Sequence, residues 1–287
     1  MIKKLFKRIF DSGFLIKTYC NPFMPIQLTC LGNYIGITES KKRSPELIVS
    51  ITAQREQFDS LPITIYSLLN QKLKPDKIIL WLDEEYEDLT NLPYEISQYI
   101  KNGLEIRFVK DIGEYTKSYY AFKYLKDSIV VIADSRIYYS TNWLKSLYLS
   151  YIAHPEDINV HRALIVDFAK PYRNWKKQKK ENSSEYYNFG LVEGGMLFPP
   201  NCFSNEILRK DIFLKNALIN DCIWYWIMAL VHKRKIRVIK NSDRIFSRVN
   251  LRANLHYIRE NKRKKLLFNK NLRNLLKFYR QNVEKLL

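Results

Sequence analysis

The residues best placed for chemistry in this chain sit where apolar runs give way to polar ones. "SIVVIAD" (128–134) ends on Asp134, and Ser135 and Arg136 follow, ahead of Ile137 and the pair Tyr138-Tyr139. "DKIILWLD" (76–83) ends on Asp83, and "ELIVSIT" (46–52) ends on Thr52 with Arg55 close behind. "LEIRFV" (104–109) is followed by Lys110 and Asp111. A carboxylate offers oxygens to a hard cation and can accept the proton of an attacking hydroxyl. A guanidinium cannot ligate a metal and keeps its charge at physiological pH, but it grips phosphate with two parallel hydrogen bonds. Arg136, two places after Asp134, is therefore the residue to explain. A further acid, Asp221, stands near the start of the apolar run "NDCIWYWIMALVHK" (220–233). The plain reading of Asp221 is an acid favoured by the helix dipole.

The elements that must hold these residues alternate. Strand-like runs at 46–52, 76–83, 104–109 and 128–134 are separated by helical patterns at 61–71, 92–103, 115–126 and 140–152. The helix at 92–103 carries a Gly stop signal, and the one at 140–152 opens on a Ser/Thr/Asn cap. Alternation of this kind predicts a mostly parallel, Rossmann-like sheet with helices on both faces, and such sheets bind ligands at the carboxyl ends of their strands. Neither GxGxxG nor GxxxxGK[ST] occurs, so nothing marks a dinucleotide dehydrogenase or a P-loop enzyme. Beyond 152 the pattern loosens. A strand is expected at 159–168, a long polar and mobile loop at 170–190, a glycine doublet before an apolar strand at 192–200, and a buried helix at 220–233. The tail is mainly helical from about 255, with Phe268, Leu272, Leu275, Leu276, Tyr279, Val283 and Leu286 on one face. Three regions follow: a basic N-terminal extension (1–45), a catalytic domain (46–240) and a basic amphipathic helical tail (241–287).

Composition narrows the class. With 46% hydrophobic residues and mean hydropathy −0.32 the chain reads as globular, and its 8 Gly and 10 Pro exclude a linker-rich protein. Cys20, Cys30, Cys202 and Cys222 form no CxxC, and the four histidines are scattered. That argues against a zinc site or a disulfide framework and fits a reducing compartment. No apolar run reaches the roughly 18 residues of a membrane span, and no signal peptide is read. The net charge of +19 is segregated: residues 232–287 hold 18 Lys and Arg against 3 acids, a net +15. Such a block seeks an anionic partner, although a charge run is often only a solvated surface.

In order along the chain, "SLLNQKLKPDKIILWL" (67–82), "NGLEIRFV" (102–109), "YTK" (115–117), "ADSRIYYSTNWLKSLY" (133–148), "PYRNWK" (171–176), "GGMLFPP" (194–200) and "NDCIWYWIMA" (220–229) resemble bacterial glycosyltransferase family 2-like enzymes of the GT-A fold, associated with capsule and lipopolysaccharide sugars. The likeness runs from about 47 to 240. It implies a nucleotide-sugar donor (a UDP-sugar for preference), a saccharide or lipid-linked acceptor and usually Mg²⁺ or Mn²⁺. The family's triplet after the fourth strand is Asp-Asp-Asp, its last member holding the metal against the donor diphosphate. Here it is Asp134-Ser135-Arg136. Asp134 is the one matching acid for a metal, and Arg136 replaces the expected ligand. Three outcomes are open: Arg136 supplies part of the metal's charge, the site has lost donor binding, or a metal binds through Asp134 and other acids.

The resemblance also assigns roles. Asp221 matches the first acid of a family pair whose second is Cys222 here, and it is the candidate base of an inverting transfer. Glu193 is a second base candidate or an acceptor contact. Lys117 matches a cation near the diphosphate, and Thr52, Arg55 and Asp83 fall where base and ribose would lie. Gly194 and Gly195 would let backbone approach the sugar, and Trp175, in the polar loop, is the tryptophan best placed to stack on it. Paired His161-Arg162 could touch phosphate, though core or surface filling is the plainer reading.

Three functions compete on these grounds. The first is an inverting transferase, cytoplasmic and peripheral on the inner face of the plasma membrane, its basic tail on anionic lipid. The second is a non-catalytic relative that binds nucleotide-sugar or partners an active transferase. The third, a nucleic-acid-binding protein, has the charge but none of the recognition motifs, so no nucleic acid is expected as a partner.

Overall fold

In a computed structural model of the chain, the described residues are 34–40, 43–86, 92–217, 220–239, the backbone of 246–248, and 267–287. Most of the expected N-terminal extension, and the tail between 249 and 266, lie outside them.

The strands are β1 (Leu47–Thr52), β2 (Lys77–Asp83), β3 (Leu104–Val109), β4 (Ile129–Ile132), β5 (Ile137–Tyr139), β6 (Ile158–Val160), β7 (Ala163–Ile165), β8 (Lys176–Lys177), β9 (Ser184–Glu185), β10 (Asn188–Gly190), β11 (Met196–Phe198), β12 (Ile236–Val238) and β13 (Phe246–Arg248). Among the described residues the main sheet has eight strands in the order β3-β2-β1-β4-β11-β6-β12-β9. β3, β2, β1 and β4 are mutually parallel, β11 runs antiparallel to both β4 and β6, and β12 is parallel to β6. The expected architecture, an α/β fold on a mostly parallel sheet, is the observed one. Chain order 3-2-1-4 places the reversal of winding between β1 and β4, the crevice where open α/β sheets bind ligands.

The helices are α1 (Leu61–Leu69), α2 (Tyr94–Ser97), α3 (Thr116–Tyr124), α4 (Trp143–Ala153), α5 (Lys210–Asn216), α6 (Asp221–Val231) and a C-terminal helix covering 267–278. The central strands are mainly apolar, Ser50 and Thr52 of β1 apart, because both faces are covered. Leu47, Val49 and Ile51 of β1, with Leu80 and Val131, pack on α1, α2 and α4. The alternate residues Val130 and Ile132 of β4 and Met196 and Phe198 of β11 face a second core built around Trp224, Tyr225 and Trp226 of α6. Period-two side-chain direction thus divides one sheet between two cores. Gly103, expected as a helix stop, ends the 3₁₀ turn after α2 with φ +104°.

Three expectations need revision. The strand at 159–168 is two short strands, β6 and β7, broken at His161-Arg162. The segment 170–190 is not one mobile loop: β8, β9 and β10 lie in it, and β7 pairs with β8 and β10 in a three-stranded sheet. The C-terminal stripe is also not open to lipid. Phe268, Leu272, Leu275, Tyr279 and Val283 are buried in the core around α6, and the Phe268 ring stacks on Tyr172 at 3.7 Å. That stripe is hydrophobic because it completes the core.

Candidate active site at the carboxyl ends of β1 and β4

β4 delivers Asp134 and β5 begins at Ile137, leaving a tight turn between them. The Asp134 N–H donates to the Tyr139 hydroxyl at 2.8 Å, and the Ser135 carbonyl accepts from Thr64 Oγ1 of α1 at 2.8 Å. Ser135 Oγ donates to Gln57 Oε1 at 2.7 Å, which ties this turn to the 3₁₀ turn after β1 that carries Arg55. Within the turn, Arg136 Nε and Nη2 each lie 2.8 Å from one oxygen of Asp134, a bidentate fork. Burial of Asp134 favours the neutral acid, but Arg136 outweighs it and holds the carboxyl below its ordinary range.

The ion pair is one end of a chain of charges. Arg136 Nη2 is also 3.4 Å from Glu114 Oε1, and Glu114 Oε2 is 3.1 Å from Lys117 Nζ. Lys117 Nζ is in turn 3.0 Å from Asp221 Oδ2 at the start of α6. Lys117 is only 2% exposed. Burial alone would push its ammonium down; Asp221, Glu114 and Asp134 together hold it above the usual lysine range. The position of α3 is fixed from the sheet: Ser50 Oγ of β1 donates to the Lys117 carbonyl at 2.6 Å and accepts from Trp81 Nε1 at 2.8 Å. Three carboxylates and two cations, from three separate segments, thus form one partly buried cluster of net charge −1.

Asp221 is 8% exposed. Its Oδ2 accepts from the Tyr225 hydroxyl at 3.2 Å as well as from Lys117, and its Oδ1 has the Cys222 thiol at 3.7 Å. The same hydroxyl oxygen lies 2.6 Å from Ser118 Oγ. Burial first, and then the charge of Asp221, push the Tyr225 hydroxyl and the Cys222 thiol well up, so both stay protonated donors. One carboxylate oxygen is therefore held by strong donors, and the other by a weak one.

The remaining nominated residues fall around this cluster. Glu193 lies in the 3₁₀ turn Val192–Gly194, 4.0 Å from Arg162 Nη1, and its charge reaches Tyr139 and Cys222. Thr52 is buried with Oγ1 donating to the Trp81 carbonyl at 2.8 Å, Arg55 is exposed, and Asp83 accepts the Glu85 N–H at 3.2 Å. The glycine doublet is packed against the chain itself. Gly195 has φ +88°, and a Cβ there would stand 2.4 Å from Trp143, whose Nε1 donates to the Gly194 carbonyl at 2.7 Å. Trp175 is a core side chain and not an exposed platform: it is 7% exposed, its indole N–H donates to the Asp167 and Lys170 carbonyls, and Phe189 and Phe268 pack on it edge to face. Its polar neighbours in sequence concealed that. Glu114, Tyr225, Ser118 and Gln57 were not nominated. The spacing of Glu114, three residues ahead of Lys117 across a helix start, was a usable signal.

A divalent cation needs several oxygen donors around one point. Among the described residues no three His, Cys, Asp or Glu side chains are placed to share one, and both oxygens of Asp134 are engaged by Arg136. The described residues therefore assemble no protein-held Mg²⁺ or Mn²⁺ site of that kind.

No protein-family model matches the chain, and no curated protein matches it. Among solved structures it is similar to the crystal structure of S. aureus TarS 1-349, at 15% identity and TM-score 0.49, covering 71% of this chain and 60% of that one. It is also similar to S. aureus TarS 1-349 in complex with UDP, at 12% identity and TM-score 0.46, covering 74% and 63%. This chain therefore spans less than two thirds of the length of either structure.

Proposed function

We propose that the chain is a glycosyltransferase of GT-A type that moves a sugar, with inversion, from a nucleotide-sugar donor to a saccharide or lipid-linked acceptor. A UDP-sugar is the favoured donor, and capsule or lipopolysaccharide synthesis the favoured setting. The observation that carries this reading is the meeting of Asp134, Arg136, Lys117 and Asp221 at the crevice between β1 and β4. Asp221 takes the proton of the acceptor hydroxyl. The acceptor oxygen then bonds to the anomeric carbon as the bond to the diphosphate breaks. Lys117 and Tyr225 orient the base through Oδ2. Arg136 faces the leaving diphosphate, with Glu114 at 3.4 Å as the weaker of its two carboxylate contacts and the one to be exchanged. Thr52, Arg55 and Asp83 border the nucleoside, and Glu193 borders the acceptor. No step uses a protein-held metal. Among the described residues no helix is long and apolar enough to cross a membrane, and the proposed location is peripheral, on the inner face of the plasma membrane.

A second reading, a nucleotide-sugar-binding relative without transfer activity, is favoured by one observation. The cluster has net charge −1 before any diphosphate arrives, and its cations are already engaged. A panel of UDP-, GDP- and CMP-sugars, assayed for hydrolysis and transfer in EDTA and in Mn²⁺, separates the two. Turnover of one donor class that persists in EDTA is the expected result. A strict Mn²⁺ requirement would overturn the metal-free arrangement, and binding without turnover would favour the second reading.

A further inference from the structure

We infer that the anionic-membrane contact is made by the three-stranded sheet and the exposed side of the C-terminal helix, acting as one surface. This deepens the membrane part of the reading above and replaces the amphipathic tail as its means, since the apolar stripe of that tail is spent in the core. Residues 163–180 carry six Lys and Arg against one acid, and 267–280 carry four against none. The two segments are joined: the Tyr172 N–H donates to Asn269 Oδ1 at 3.1 Å and its ring stacks on Phe268. Arg173 and Lys270, the chain neighbours of that contact, are both exposed, as are Lys176, Lys177 and Arg273.

Apolar side chains stand within this basic field. Ile165 is directly opposite Lys176 across the β7–β8 pair, so the two share a face. Ile165 is 37% exposed, Phe168 just beyond it is 49% exposed, and Phe278 on the helix is 58% exposed. Cations for phosphate headgroups and apolar tips for the acyl boundary are the paired requirements of interfacial binding. The surface also adjoins the candidate site, because β7 starts at Ala163, next to Arg162, the partner of Glu193. A lipid-linked acceptor held in the bilayer would reach the cluster from that side.

The test is flotation of the full chain, before and after nuclease treatment and without donor, on phosphatidylcholine vesicles with and without phosphatidylglycerol. Binding is expected only with phosphatidylglycerol. Lys176→Glu/Lys270→Glu, one exposed cation from each half of the surface, should weaken it roughly tenfold or more, while Lys101→Glu/Lys145→Glu, exposed cations elsewhere with the same change in net charge, should leave it within about twofold. Phe168→Ser, which changes no charge, should also weaken it several-fold. Circular dichroism confirms that each variant is folded. Equal losses in both lysine pairs would reduce the effect to diffuse charge and overturn the surface. Loss of binding on nuclease treatment, or none in the parent chain, would overturn the lipid partner. Because no donor is present, these outcomes do not depend on whether the chain transfers sugar.

Discussion

Lys117 Nζ lies 3.0 Å from Asp221 Oδ2, and through this bond the first turn of α3 holds the first turn of α6. The ammonium is 2% exposed and bridges Glu114 and Asp221. Breaking a buried pair from one side leaves an uncompensated charge. Lys117→Met should therefore cost about 3–5 kcal/mol in urea unfolding, and Asp221→Asn on its own should cost less. In Lys117→Met/Asp221→Asn part of that loss should return, because the stranded carboxylate is gone. Strict additivity of the two single changes would show that the ion pair is not the unit of stabilisation.

The role of Asp221 in transfer is separable from its role in holding α6. Asparagine keeps an oxygen for Lys117 and Tyr225 but cannot take a proton. Asp221→Asn is expected to lower kcat by about 10²–10⁴ while leaving donor affinity within a few-fold. Titration calorimetry with the donor found in the panel, alongside initial rates, reads both quantities. A rate within tenfold of the parent chain would transfer the base assignment to Glu193.

The sheet was legible because its central strands are buried on both faces and so appear as continuous apolar runs, while α1, α3 and α6 show helical spacing. β8, β9 and β10 were not legible, since strands of two or three residues have no period to detect. The site divides in the same way. Asp134, Arg136, Lys117 and Asp221 follow or start regular elements, so sequence pattern could nominate them. Gln57 contributes through a contact made across the fold, to Ser135, whereas Tyr225 stands one helical turn after Asp221, an i,i+4 spacing that the sequence does carry. The stripe on the C-terminal helix was correctly located, but its partner was not, because periodicity identifies an apolar face without saying what covers it. Trp175 illustrates the converse error: polar and charged neighbours in sequence, Arg173 and Asn174 before it and Lys176 after it, say nothing about where its ring points.

If the C-terminal helix belongs to the core, shortening its apolar side chains should destabilise the whole domain. Phe268 is fully buried against Tyr172, Trp175 and Phe189. Phe268→Ala should cost about 3–5 kcal/mol, and unfolding should remain a single transition by both fluorescence and circular dichroism. An unchanged midpoint would mean that the helix is an appendage.

The glycine doublet offers a local test. Alanine at 195 meets two obstacles, a left-handed φ of +88° and a Cβ 2.4 Å from the ring of Trp143. Gly195→Ala should cost about 2–4 kcal/mol and shift tryptophan emission as Trp143 moves off the Gly194 carbonyl. Gly113→Ala also has a positive φ, but no atom lies within 4 Å of its Cβ position, so it should cost only about 1–2 kcal/mol. Equal costs would remove the packing argument and leave only backbone strain.

His161 gives the fold a defined response to acid. It is fully buried at the break between β6 and β7, with Nε2 donating to the Trp143 carbonyl at 3.1 Å. Burial is the main cause that lowers its pKa from 6.5 to about 4; the hydrogen bond to Trp143 opposes the change and the charge of Arg162 adds to it. Between those two values the unfolded chain binds a proton that the folded chain does not. Stability attributable to His161 is therefore complete above about pH 6.5 and is lost as pH falls toward 4, by about 3 kcal/mol in all. His161→Gln keeps a donor for Trp143 and has nothing to titrate. Urea unfolding of both proteins across this window should show a steeper acid loss for the parent chain. Carboxylates such as Asp134 are common to both and cancel in the difference, so parallel pH profiles would show that His161 is not a buried neutral ring.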